Sequence, residues 1–136
     1  MIRTLLFRLL LTAVVSATLG VAVFAPARAA PHAPDGDRIT ITLISDRQHN
    51  SAAAWYDADG RLRTQTDVPL LHQDPETRRW SASMVYTRRS PGVPLDTLFQ
   101  SGGRFARCEI RVNSAVVAEH TARGRHATSS CRPRNP

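Results

Sequence analysis

Lysine is missing from this chain: all 18 of its basic residues are arginines, a pattern we read as codon composition rather than a functional signal. Aromatic residues make up only 6% of the sequence, and no basic cluster alternates with stacking side chains. That argues against a nucleic-acid surface. Catalytic signatures are missing as well. There is no Gly-x-Ser-x-Gly elbow, the strained turn that presents a serine nucleophile. The acidic residues are scattered over turns, so the carboxylate pair that glycoside hydrolysis needs cannot be located. Asp57-x-Asp59-Gly60 has the look of a calcium-loop start, but the glycine comes too early and Val68 stands where a bidentate glutamate is required. A hairpin turn accounts for it. Five histidines (His32, His49, His72, His120 and His126) show no metal-ligand spacing near the cysteines and read as exposed strand-end residues. No enzyme, metal or cofactor is expected.

What is present begins with an export-type leader. Arg3 and Arg8 flank its start, and residues 9–27 carry no charge. It closes on Ala25-Pro-Ala-Arg-Ala-Ala30, small residues placed for cleavage between Ala29 and Ala30. A stretch of about 20 residues is also long enough to remain as a single membrane anchor. In either case the arginines hold the N-terminus inside, and the rest works outside the cytoplasm. There the only two cysteines, Cys108 and Cys131, can persist as a disulfide. Closing a loop of about 24 residues contributes roughly 3.4 kcal/mol in the chain-entropy treatment.

About 107 residues follow Ala29, which suits one domain with one core. Residues 1–29 are the leader, 30–37 a polar linker, 38–131 the domain and 132–136 a frayed tail. Beyond the leader, 15 arginines stand against 11 acids, a modest excess of +4. The domain reads as β throughout. Arg38-Ile-Thr-Ile-Thr-Leu43 alternates, with Ile39, Ile41 and Leu43 on one face. Ala53-Ala-Trp-Tyr56 runs through the Asp57–Gly60 turn into Arg61-Leu-Arg-Thr-Gln-Thr66, a hairpin. In Trp80-Ser-Ala-Ser-Met-Val-Tyr86, Trp80, Ala82, Met84 and Tyr86 share a face. Phe105-Ala-Arg-Cys-Glu-Ile-Arg-Val112 points Cys108, Ile110 and Val112 inward and Arg107, Glu109 and Arg111 outward. Asn113-Ser114 turns the chain into 115–120, and 124–131 supplies a last strand.

With about seven short strands and no amphipathic helix, the pattern predicts an all-β, immunoglobulin-like sandwich. The cysteines differ in position from the usual cross-sheet pair, so the bond is expected to join the penultimate region to the last strand. Residues 88–103 are broken up by Pro91, Gly92, Pro94 and Gly102-Gly103, while 95–100 suits a short strand or turn. Trp80 and Tyr56 are expected in the core, with Trp55 on the opposite phase from Tyr56. Arg61 and Arg63 read as a solvated face.

The order Tyr56-Asp-Ala-Asp-Gly60, Val68-Pro-Leu70, Trp80, Gln100-Ser-Gly-Gly103, Cys108-Glu-Ile-Arg-Val-Asn113 and the closing 127–131 resembles the MmpS family. These are small transport-accessory membrane proteins of mycobacteria and related actinobacteria. The resemblance covers residues 38–131. It implies one N-terminal transmembrane helix, an external β-sandwich and work as an adaptor beside MmpL-type transporters of the RND class, which export lipids and siderophores. Two features depart from the pattern: the cleavable-looking leader, and an insertion with Pro75 and Glu76 between Leu70 and Trp80. The expected function is therefore a non-enzymatic accessory domain at the cell envelope, acting through Arg107, Glu109 and Arg111 or an edge strand. A freestanding secreted binding module or inhibitor, with residues 88–103 as its contact loop, is the alternative.

Overall fold

The computed structural model describes residues 36–134; the leader, the Ala29–Ala30 junction and most of the 30–37 linker lie outside the described residues. Nine strands follow one another in this region: β1 (Asp37–Ser45), β2 (His49–Tyr56), β3 (Leu62–Pro69), β4 (His72–Gln73), β5 (Trp80–Arg88), β6 (Thr97–Gln100), β7 (Phe105–Val112), β8 (Ala115–Arg123) and β9 (Thr128–Cys131). They form a five-stranded sheet, β4-β5-β1-β7-β8, and a four-stranded sheet, β3-β2-β6-β9. All pairings are antiparallel. No helix among the described residues is long and apolar enough to cross a membrane.

The sheets face one another because β1 and β7 each offer one apolar face. Ile39, Ile41 and Leu43 of β1 lie opposite Val112, Ile110 and Cys108 of β7 in register. These side chains meet Ala53, Phe99 and Cys131 of the second sheet in one buried cluster. Burying a side chain such as Ile41 or Phe99 stabilises the fold by about 1.5–3 kcal/mol. The strand order follows the immunoglobulin plan, with one substitution. The position beside β1 that an opening strand fills in that plan belongs here to β7, which arrives late in the chain as a hairpin with β8. The chain then crosses back so that β9 can pair with β6.

That detour places the cysteines. Cys108 and Cys131 are bonded, with Cα atoms 6.0 Å apart, and the bond ties β7 to the last strand as expected from sequence. Cys108 belongs to the five-stranded sheet and Cys131 to the four-stranded one, so the bond also crosses between the sheets.

The turns obey local chemistry. Asn113 and Ser114 have φ of 49° and 74°, the paired left-handed conformation of a type I′ hairpin. Asn113 also accepts a bond from the Arg38 N–H at 2.9 Å and donates to Asp37 at 3.0 Å. In the β2–β3 turn, the Asp57 carboxylate accepts from the N–H groups of Asp59 and Arg61, and Gly60 takes φ of 75°.

Strand β4 exceeds the sequence expectation, while β6 realises the short strand that 95–100 allowed; with two and four residues they are too short for a period to show. In β6 the buried residues are Thr97 and Phe99, while Leu98 points out, so its phase is set by pairing with β2 and β9. The final strand spans only Thr128–Cys131, because Gly124 and His126 turn the chain first. Asp37, assigned to the linker from sequence, is the first residue of β1. Trp80 is half-buried and packs on the core with Ala82, Met84 and Tyr86. The reading of Tyr56 is overturned: Trp55, in phase with buried Ala53, packs on the core instead.

Candidate functional site

The three residues proposed from sequence as a partner surface sit together on the outer face of the five-stranded sheet. Arg107 approaches Glu109 at 3.4 Å and Glu119 of β8 at 2.9 Å, while Arg111 pairs with the other oxygen of Glu109. The register explains this, since Glu109 lies directly opposite Glu119 and needs the flanking arginines to offset the repulsion. The four charges neutralise one another. Glu119, which sequence reasoning did not single out, completes the set.

A larger feature lies at the end of the sandwich where the chain enters. Here β1 begins, β5 ends, and the β7–β8 turn and the segment after β9 converge. They enclose a cavity of about 850 Å³. Its apolar walls are Val93, Pro94 and Leu95 from the β5–β6 connection and Val112 and Val117 from the neighbouring hairpin; Arg88, Arg132 and Arg134 contribute cations. Arg88 is the inward-facing last residue of β5, in phase with Tyr86 and Met84. Its guanidinium bonds the Asp37 carboxylate at 2.7 Å and the Val93 carbonyl at 3.2 Å. The Arg88 Nε and the Tyr86 hydroxyl are buried with no partner. The bond from Arg88, then that from Asn113, holds the Asp37 carboxyl below its ordinary value of 3.8. Burial raises the Tyr86 hydroxyl, with Arg88 opposing and Asp57 adding to the effect. Arg132, in the segment expected to fray, bonds Asp96 at 3.1 Å.

The opposite end is closed by polar groups. The hydroxyls of Ser45 and Ser101, both fully buried, are 2.8 Å apart. The side chain of buried Asn50 donates to the carbonyls of Arg47, Gln48 and Val68 and accepts from the Gly102 N–H. The Asp46 carboxylate accepts from the N–H groups of Arg104 and Phe105. Burial pushes the Asp46 carboxyl up, but those backbone donors and the Ser101 hydroxyl outweigh it and hold the group below 3.8. This explains Gly102-Gly103. A Cβ on Gly102 would stand 2.6 Å from the His49 carbonyl oxygen, and one on Gly103 would collide with the Asp46 carboxylate.

Among the described residues, no three His, Cys, Asp or Glu side chains gather as a metal-holding group. Both cysteines are consumed by the disulfide. His120 lies within β8 and accepts a bond from the Ser130 N–H at 3.1 Å. What the arrangement offers chemically is a partly apolar recess with fixed cations, suited to binding. No protein-family model matches the chain, and no curated protein is recognisably related to it.

Proposed function

We propose that this chain is a non-enzymatic, exported accessory domain of the MmpS kind, assisting an RND-class lipid or siderophore exporter at the cell envelope. The observation that carries this reading is where the MmpS-like residues fall. Cys108 and Cys131 are bonded to each other. Asn113 makes the left-handed turn and ties it to β1. Ser101, Gly102 and Gly103 form the close packing against Asp46 and Asn50. The similarity therefore sits at joints that a shared sandwich requires, and none of those residues is arranged for chemistry. The disulfide adds support for an oxidising location outside the cytoplasm.

Crosslinking in envelope membranes of the native host tests the reading. Recovery of a large multi-span transporter with this chain is the expected result. If no transporter is recovered, the reading falls and a freestanding binding module takes its place. The cavity beside the Pro/Gly-rich connection favours that second reading. N-terminal sequencing of the exported protein separates the two forms: a mature chain starting at Ala30 supports secretion, and a retained leader supports an anchored adaptor.

A further inference from the structure

We infer that the end of the sandwich opposite the chain entry is a docking surface for an acidic patch on a partner protein. Five arginines from separate stretches of sequence meet there: Arg47, Arg79, Arg104, Arg123 and Arg125. The backbone brings them together. Phe105 pairs with Arg123 across the β7–β8 ladder. The Gly124 N–H donates to the Arg104 carbonyl, and the His126 N–H to that of Gly103, both at 3.0 Å. Gly103 in turn packs so closely on Arg47 that an added Cβ would lie 2.7 Å from its Cγ. The Arg79 guanidinium lies 3.7 Å from the centroid of the Phe105 ring, and that of Arg123 lies 5.1 Å away.

None of these five arginines makes an ion pair among the described residues, whereas Arg63, Arg88 and Arg132 at the other end each do. The acids nearby offset them only in part. Asp46 and Asp74 aim their carboxylates at backbone N–H groups rather than at these guanidiniums, and Glu76 is the remaining acid of that turn. Five cations outnumber these three anions, and an excess of one sign attracts the opposite charge.

Its geometry selects among anionic partners. An arginine held over a ring retains N–H groups for bidentate bonds to carboxylates held at fixed positions. Phe105 is only 6% exposed and offers no open face, so bases have nothing to stack on. A fluid headgroup layer has no use for preset guanidinium orientations. Leu71, 79% exposed beside the Leu70 that bonds Gln48, is a lone apolar residue, too little for membrane insertion but suited to a protein contact. This inference does not depend on a transporter being the partner.

The test uses the exported protein purified from its host and a fluorescein-labelled hexaglutamate peptide at low salt. Two triple variants are compared: Arg47→Ala/Arg104→Ala/Arg125→Ala, and Arg38→Ala/Arg61→Ala/Arg89→Ala at the cavity end. Neither touches the Phe105 stack, and thermal melts check that both remain folded. We expect the first to weaken peptide binding by about tenfold or more and the second by less than about twofold. Absence of wild-type binding overturns the proposal, as does equal weakening in both variants. Phosphatidylglycerol vesicles provide a further arm. Vesicle binding that needs the same three arginines, with no peptide binding, overturns it in favour of a lipid surface.

Discussion

At the chain-entry end, residues 89–96 run past the sheet edges held by a local turn in which Val93 and Gly92 bond Ser90, by Arg132 on Asp96, and by the Arg88 side chain reaching Asp37 and the carbonyls of Pro91 and Val93. At the opposite end, the connections are stitched by Asp46, Ser45, Ser101 and Asn50, and two glycines pack where a Cβ has no room. The difference lies in which groups satisfy the backbone. Short polar side chains bonded to neighbouring N–H and C=O groups draw the loops tight and leave no recess. A long arginine bridging from a strand end holds its loop at a distance, and the cavity is the space left beneath it. One end thus fixes the spacing of the two sheets, and the other leaves a recess open between them.

The largest test cuts the link both ends share. Cys131→Ser should cost about 3 kcal/mol, a fall in Tm of more than about 10 °C for a domain of this size. Thermal melts of variant and wild type, with and without reductant, check this; an unchanged melting curve would remove the bond from the account of stability. Next, Gly103→Ala should destabilise by about 1–3 kcal/mol because the new methyl group displaces Asp46 or Arg47. Its counterpart, Gly92→Ala at the cavity end, should stay within about 0.5 kcal/mol, since the nearest neighbour of that Cβ is the Ser90 hydroxyl at 3.7 Å. Equal losses in urea titrations of the two variants would erase the distinction between the ends.

Smaller still is the effect of Asp46→Asn, which pH can isolate. A carboxyl held below 3.8 contributes stability that is complete above that pH and is lost as pH falls through its folded-state value. The gap between wild type and variant should therefore be full at neutral pH and shrink only in acid below 3.8. A gap that ignores pH would mean the carboxylate charge is irrelevant. Asp37→Asn should change stability least, because water reaches the aspartate side of that pair and the amide oxygen can still accept from Arg88. Its melt should lie between those of Asp46→Asn and wild type.

Much of this fold was legible from local pattern. The alternation of β1 and β7 and the Asn113-Ser114 and Asp57–Gly60 turns are decided by neighbours in sequence, and the cysteine pairing was legible because the chain has only two cysteines. Other features depend on distant residues. Phe99 is buried and Leu98 exposed because β6 is wedged between β2 and β9, and four residues carry too little period to show it. Trp55 and Tyr56 adjoin, and only the sheet decides which one turns inward. The outward face of Arg107, Glu109 and Arg111 was readable, but its neutralisation by Glu119 needed the β7–β8 register. The cavity and the arginine cluster were least legible. Each draws residues from segments far apart in the chain, and no single window of sequence contains either.

The late hairpin that lies alongside β1 also decides when the sheet can close. Among the described residues, β1 is flanked by β5 and β7, so both of its neighbours follow it in the chain, and its second edge stays open until residues 105–112 arrive. The pairing that finishes the five-stranded sheet is therefore a long-range one, and such pairings form slowly because the intervening chain must be closed before the contacts are made.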